Sequence, residues 1–292
     1  MNFIKFGNIL IFVSAALMVA SIAALAMFGL NLGIEFTGGS LLEVQYQAQR
    51  PANNEIREYI VPTGVQVSSV QPVGEKGVII RMADISEDQH QQVVRALGSD
   101  ITEQRFESIG PVIGKELRDK AFILVGFALL AIALYVAFAF RKVTRPVSFW
   151  QWSAVTLIAL LHDILLPLGM LALLGEFQNV SFTIPVVVAL LTVVGYSVND
   201  TVVIFDRIRE NLVKKVGFDF ADTVNKGLQQ TMSRSINTSF TTLLVVLAIL
   251  FFGGETLYGF ALTLAVGIAA GAWSSLFVAP PLLVRWAQKA GG

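Results

Sequence analysis

Cysteine is absent, which excludes disulfides and thiolate metal sites while leaving the compartment open. Histidine is nearly absent: His90 and His162 are the only two, too few for a histidine-rich metal cluster. Charge is scarce and balanced, with 21 Lys and Arg against 21 Asp and Glu, so no net field marks the chain for nucleic acid. The sequence holds no Walker A loop, no serine or cysteine nucleophile arrangement and no metal-ligand spacing. No cofactor, metal or enzymatic activity is therefore expected. Energy for any work has to come from a membrane gradient, where one elementary charge crossing roughly 100 mV carries about 2.3 kcal/mol.

Long hydrophobic runs are what the chain does have. Apolar residues make up 54% of it and the mean hydropathy is +0.67, which is not the composition of a soluble domain. Six runs of roughly 20 residues, the length a bilayer core requires, lie near 8–30, 121–140, 152–174, 181–206, 235–253 and 257–284. The first is too long for a signal-peptide core and reads as an uncleaved anchor, despite the Ala-rich steps around Ala23 to Ala26. Basic residues then set the orientation. Arg141, Lys142 and Arg145, the loop from Arg207 to Arg234, and Arg285 with Lys289 fall on one side, whereas the opposite turns carry Glu176 and Glu255. Both termini are expected in the cytoplasm, and the acid-rich segment 31–120 outside.

That outside segment has its own pattern. Residues 41–48 alternate as a strand, 52–60 read as a short helix, and 65–71 and 77–83 read as strands separated by a turn at Pro72 to Gly74. Ser86 caps a second helix running to about Leu97, with Glu87 and Asp88 in its first turn, and 102–108 form a last strand. The order βαββαβ is that of a ferredoxin-like split βαβ unit. Residues 1–30 thus form the first transmembrane helix, 31–120 the outside domain, and 121–292 the five-helix remainder. The connections at Gly33 to Gly39 and Ile109 to Lys120 are short and contain glycine, which suits a hinge and suits a tight turn equally.

Within the fourth run stands Asp200, and a carboxylate at membrane depth is costly enough to imply a task. With the span centred near residue 194–196, Asp200 lies about 6–9 Å from the midplane. Tyr196, Ser197, Asp200 and Thr201 form a polar stripe on this helix. The fifth run has a matching one, Arg234, Thr238 and Thr241, with Asn237 beside it. Arg234 fits either a cationic partner for Asp200 or an arginine that reaches the interface as an anchor. His162 and Asp163 stand almost at the centre of the third run, where a relay and a structural hydrogen-bonding role both fit. Asp206, Arg207 and Arg209 read as a solvated interfacial cluster. Pro167 and Pro185 are expected to kink their helices, Gly267 and Gly271 form a GxxxG packing motif, and Pro280-Pro281 should bend the end of the last span.

GIEFTGG after the first span, ESIGPVIGKEL before the second, LLHDILLPLG in the third, VGYSVNDTVVIFDRIREN in the fourth and SRSINTS leading into the fifth resemble the SecD/SecF family of the resistance-nodulation-division superfamily. They occur in the family's order across nearly the whole chain. The resemblance implies an α-helical integral membrane protein, multi-pass in the bacterial inner membrane, with six transmembrane helices and a small ferredoxin-like α+β periplasmic domain between the first and second. It implies a protein-export role in which a proton gradient assists preprotein translocation. SecD, the SecYEG channel, YajC and translocating preproteins would be the partners, within the lipid bilayer. The family's transmembrane carboxylate matches Asp200 and its functional arginine matches Arg234, whereas His162 and Asp163 match a recurring feature without a firm role. A second acid, on a SecD-type chain, is expected to complete the proton path. Two other readings compete with it. Half of a proton-driven small-molecule exporter would be expected to carry a much larger outer domain, and an intramembrane aspartyl protease built on Asp163 and Asp200 lacks the Gly-x-Gly-Asp pattern.

Overall fold

The structure is a computed structural model and describes residues 4–141 and 146–290. Lys142 and Arg145, two of the basic residues expected to set the orientation, lie outside the described residues. Among the described residues, six helical stretches are long and apolar enough to cross a membrane. The first five are α1 (Gly7–Phe28), α5 (Pro111–Ala139), α6 (Phe149–Gln178), α7 (Ile184–Val213) and α8 (Phe220–Phe252). The sixth combines α9 (Glu255–Phe277) with α10 (Ala279–Ala290). The chain divides into two compact units, one of Met1–Leu30, Leu124–Leu174 and Pro185–Gly292, the other of Asn31–Ile123 and Gly175–Ile184.

In the smaller unit, β1 (Gly39–Tyr46), α3 (Asn53–Ile60), β2 (Val67–Val73), β3 (Gly77–Met82), α4 (Glu87–Leu97) and β4 (Ile101–Ile109) follow the expected βαββαβ order. The sheet runs β2-β3-β1-β4, every pairing antiparallel. Alternation along β1 places Leu42, Val44 and Tyr46 on one face, where Val78, Ile80 and Met82 of β3 join Ile56, Ile60, Val93 and Leu97 of the two helices. Ser86 caps α4: its hydroxyl accepts from the Gln89 N–H, and the Gln89 side chain accepts from the Ser86 N–H at 3.1 Å.

Strand ends differ from expectation, most at β1, which spans Gly39–Tyr46 rather than 41–48, and at β2, which spans Val67–Val73 rather than 65–71. β1 starts two residues early because Gly39, at φ 128°, already pairs with Ile109. Pro72 belongs to β2 rather than to the turn: β2 is an edge strand, where the missing N–H costs no ladder bond on the open side.

The glycine-rich entry segment is a packed joint. Gly33 N–H donates to Phe182 O at 2.8 Å and Phe182 N–H to Asn31 O at 2.7 Å, so 31–33 and 180–184 clasp one another. A one-turn helix α2 (Ile34–Thr37) follows, ended by Gly38 at φ 75°. A Cβ at Gly38 would meet Pro111 Cα at 2.6 Å, and one at Gly114 would meet Gly38 N at 2.7 Å. Glycine is needed here for both backbone angle and approach.

In the membrane unit, Phe140 stacks on Trp152 with ring centroids 5.0 Å apart, and Phe205 meets Trp152 edge-on at 4.9 Å. Val155, Ile204, Ile208, Val224 and Leu228 extend this core across α6, α7 and α8. Gly267 and Gly271 turn to α7, packing on Val193 and Ser197, so the GxxxG motif joins helices of one chain. α6 continues through Pro167. Pro185, by contrast, does not interrupt a helix: it is the second residue of α7, in the first turn, where no intrahelical N–H bond is lost. Pro280 and Pro281 sit just inside α10, after the break at Val278.

Candidate functional site

α7 is 30 residues long, about 45 Å, so it outreaches a hydrocarbon core of about 30 Å. Its last turns carry surface ion pairs, Arg209 to Asp206 at 2.6 Å and Arg207 to Glu210 at 2.7 Å, as the solvated-cluster reading expects. Asp200 lies further in and is 6% exposed. Ser235 and Ser239 of α8 neighbour its carboxylate, and the charge of Arg234 acts on it. The Asp200 Oδ2 and the Ser235 Oγ are both buried and hold no hydrogen-bond partner. A buried oxygen left open in this way is costly unless a proton, water or further group completes it.

Arg234 is exposed and forms no ion pair with Asp200 within 4.0 Å. It borders a cleft of about 590 Å³ together with Tyr135, Asp206, Arg207, Gln230 and Thr231. Thr238 and Thr241, placed on its face by helical spacing, are exposed and bond carbonyls of their own helix, Arg234 O at 2.9 Å and Asn237 O at 2.9 Å. The buried stripe of α8 is instead Gly227, Thr231, Ser235 and Ser239, small residues at every fourth position. That period is present in the sequence and is the signal that finds the two serines. Tyr196 also reaches this stripe, its hydroxyl 3.5 Å from Ser239 Oγ and 3.4 Å from Thr242 Oγ1.

His162 and Asp163 form a separate cluster on α6, 1% and 0% exposed. Their backbone directions diverge by about 100°, yet the side chains fold together with His162 Nδ1 2.8 Å from Asp163 Oδ1. The other carboxylate oxygen accepts from the Ser197 hydroxyl of α7 and, at 2.8 Å, from the Ser274 hydroxyl of α9. Thr201 and Ser275 pair at 2.8 Å beside them. Ser274 and Ser275 were not legible as site residues, because serine in an apolar helix acquires meaning only from the helix it abuts. Among the described residues, no group of three or more His, Asp or Glu is placed to hold a metal ion.

Outside the spans, Glu35 in α2 has its carboxyl pushed up by burial and by the Glu107 charge, with Arg81 and Arg105 opposing.

Six apolar helices, a split βαβ domain between the first two, and an ionisable group buried in the fourth define a multi-pass membrane protein with a buried polar locus among its helices. The chain belongs to the SecD/SecF family: residues 89–289 match the model for "Protein export membrane protein SecD/SecF, C-terminal", and residues 23–49 match that for the "SecD/SecF GG Motif". It is 39% identical to the protein translocase subunit SecF of Thermobaculum terrenum, over 91% of this chain and 87% of that one. To the SecF of Pseudomonas aeruginosa it is 36% identical, over 97% and 90%. The crystal structure of SecDF from Thermus thermophilus, a translocon-associated membrane protein, is similar with a TM-score of 0.87 at 33% identity, covering 98% of this chain and 38% of that one. SecDF in its super-membrane-facing form gives 0.70 at the same identity.

Proposed function

We propose that this chain is the SecF-type subunit of the bacterial Sec protein-export machinery and that it uses the proton gradient, with a SecD-type partner, to assist preprotein translocation. Asp200 takes up and releases the proton, and Arg234 answers its charge. The observation that carries this reading is the pair of unpaired buried oxygens, Asp200 Oδ2 and Ser235 Oγ, with Arg234 next along α8. A buried carboxylate that no ion pair completes has a reason to alternate between protonated and ionised forms.

The partner reading is supported by the fused SecDF of Thermus thermophilus, of which this chain matches 37%. A SecD-type chain is taken to supply the remainder, including an acid opposite Asp200, and the SecYEG channel, YajC and preproteins are the further partners. The subunit does mechanical rather than enzymatic work. Both termini lie in the cytoplasm, with the outer domain beyond the inner membrane.

Asp200→Asn tests this. In inverted membrane vesicles carrying the assembled machinery, the variant should still insert and co-purify with its partner, while gradient-dependent export falls to the level seen without a gradient. Undiminished export would remove Asp200 from the mechanism.

A further inference from the structure

Asp163 is wholly buried in the membrane unit, and the proposed function gives it nothing to do. Its surroundings suggest a task. One carboxylate gathers hydroxyls from two other helices, Ser197 of α7 and Ser274 of α9, while His162 closes the remaining oxygen. One turn along, Thr201 Oγ1 meets Ser275 Oγ at 2.8 Å. Ser197 and Thr201 are four residues apart, so they lie one above the other on α7. Asp200 projects about 60° to one side of Ser197 and about 100° from Thr201. With the hydroxyl stripe held by α6 and α9, the Asp200 side chain is directed away from them, towards Ser235 and Ser239. Gly271 permits this grip: a Cβ there would stand 3.2 Å from Ser197 Cβ and 3.6 Å from Asp163 Oδ2.

We propose that Asp163 is a positioning residue: by accepting from Ser197 and Ser274 it fixes the rotation of α7 that presents Asp200 to α8. The lever is short and sensitive. At a side-chain radius of about 5 Å, a rotation of roughly 20° moves a carboxylate by about 2 Å, the difference between a hydrogen bond and none. Around α7 at this level the titratable and charged groups are His162 and Asp163 on α6, Arg234 on α8 and Tyr196 on α7 itself. Among the described residues, α9 contributes Ser274 and Ser275 here. The consequence for transport rests on Asp200 being the proton carrier, whereas the geometry does not.

The test is dicyclohexylcarbodiimide labelling, which marks protonated carboxyls at membrane depth, on the full chain co-purified with its SecD-type partner across a pH series. Mass spectrometry reads the label on the Asp200 peptide. Removing both hydroxyls (Ser197→Ala with Ser274→Ala), or the acceptor (Asp163→Leu), should move the pH midpoint of Asp200 labelling by about half a pH unit or more. That is a ~threefold change in the protonated fraction above the midpoint. Threonine at 197 and 274 keeps both hydroxyls and should return the midpoint towards the parent value, which generic loosening of the fold would not do. A midpoint that stays in place in the alanine and leucine variants overturns the proposal. Should the double variant fail to assemble, Ser274→Ala alone carries the test, and an unmoved midpoint there overturns it equally. If the midpoint moves but Asp200→Asn still exports, the proton-carrier reading falls and positioning stands. If the midpoint is fixed while Asp200→Asn abolishes export, the reverse holds. A parent protein whose Asp200 takes no label at any pH counts against both.

Discussion

Gly38→Ala places one methyl group where the structure leaves no room for it. The backbone at Gly38 has φ 75° and ψ 164°, a region in which a residue with a Cβ is strained by about 1–3 kcal/mol. The new Cβ would also stand 2.6 Å from Pro111 Cα and 2.9 Å from Pro111 N. Those are main-chain atoms, so no rotamer change relieves the contact, and overpacking of this kind costs about 1–3 kcal/mol more. The expected loss is about 2–6 kcal/mol, confined to the joint. Two companions separate the contributions. Gly74 has φ 58° and nothing within 4 Å of its would-be Cβ, so Gly74→Ala isolates the backbone cost, about 1–2 kcal/mol. Gly110 has neither feature, and Gly110→Ala should lie within about 0.5 kcal/mol of the parent. Hydrogen exchange on the full chain in lipid nanodiscs reads the result. A loss of about 3 kcal/mol would speed exchange of joint amides roughly 150-fold. Unchanged protection of the joint amides in Gly38→Ala would show that neither the backbone angle at Gly38 nor its approach to Pro111 constrains the joint.

Two further outcomes follow from the same structure. Burial raises the Glu35 pKa, so the native state holds its proton more tightly than the unfolded chain does, and stability should fall as pH rises from the ordinary value of 4.5 through the raised one. Glu35→Gln should flatten that dependence and raise the melting temperature at neutral pH; an unchanged pH profile of thermal unfolding would contradict the assignment. Trp152 is fully buried between Phe140 and Phe205, and Trp152→Ala should lower stability by about 3–5 kcal/mol, visible as a reduced unfolding midpoint in detergent.

How much of this was legible in the sequence varied with the kind of signal. A carboxylate in an apolar run is conspicuous because hydropathy makes it so, and Asp200 needed no coordinates to be singled out. The βαββαβ domain was legible because period-two and period-3.6 patterns alternate cleanly between turn residues. Strand ends were less so: Pro72 looks like turn chemistry until the sheet order places β2 at an edge. Pro185 looks like a kink until α7 is seen to begin at Ile184. The serine partners were hidden for a different reason. Ser274 and Ser275 are ordinary residues of a small-residue helix, and only the approach of α9 at Gly271 makes Ser274 a donor to Asp163 and sets Ser275 against Thr201. On α8, spacing from Arg234 selected Thr238 and Thr241, one residue off the buried face, because the polar and the buried stripes run side by side.

Proton flux through the purified pair tests the central claim most directly. Liposomes containing this chain and its SecD-type partner, loaded with a pH-sensitive dye and given an imposed gradient, should acidify faster than empty ones. Asp200→Asn should return the rate to that of empty liposomes. Flux that persists undiminished in Asp200→Asn would contradict the account.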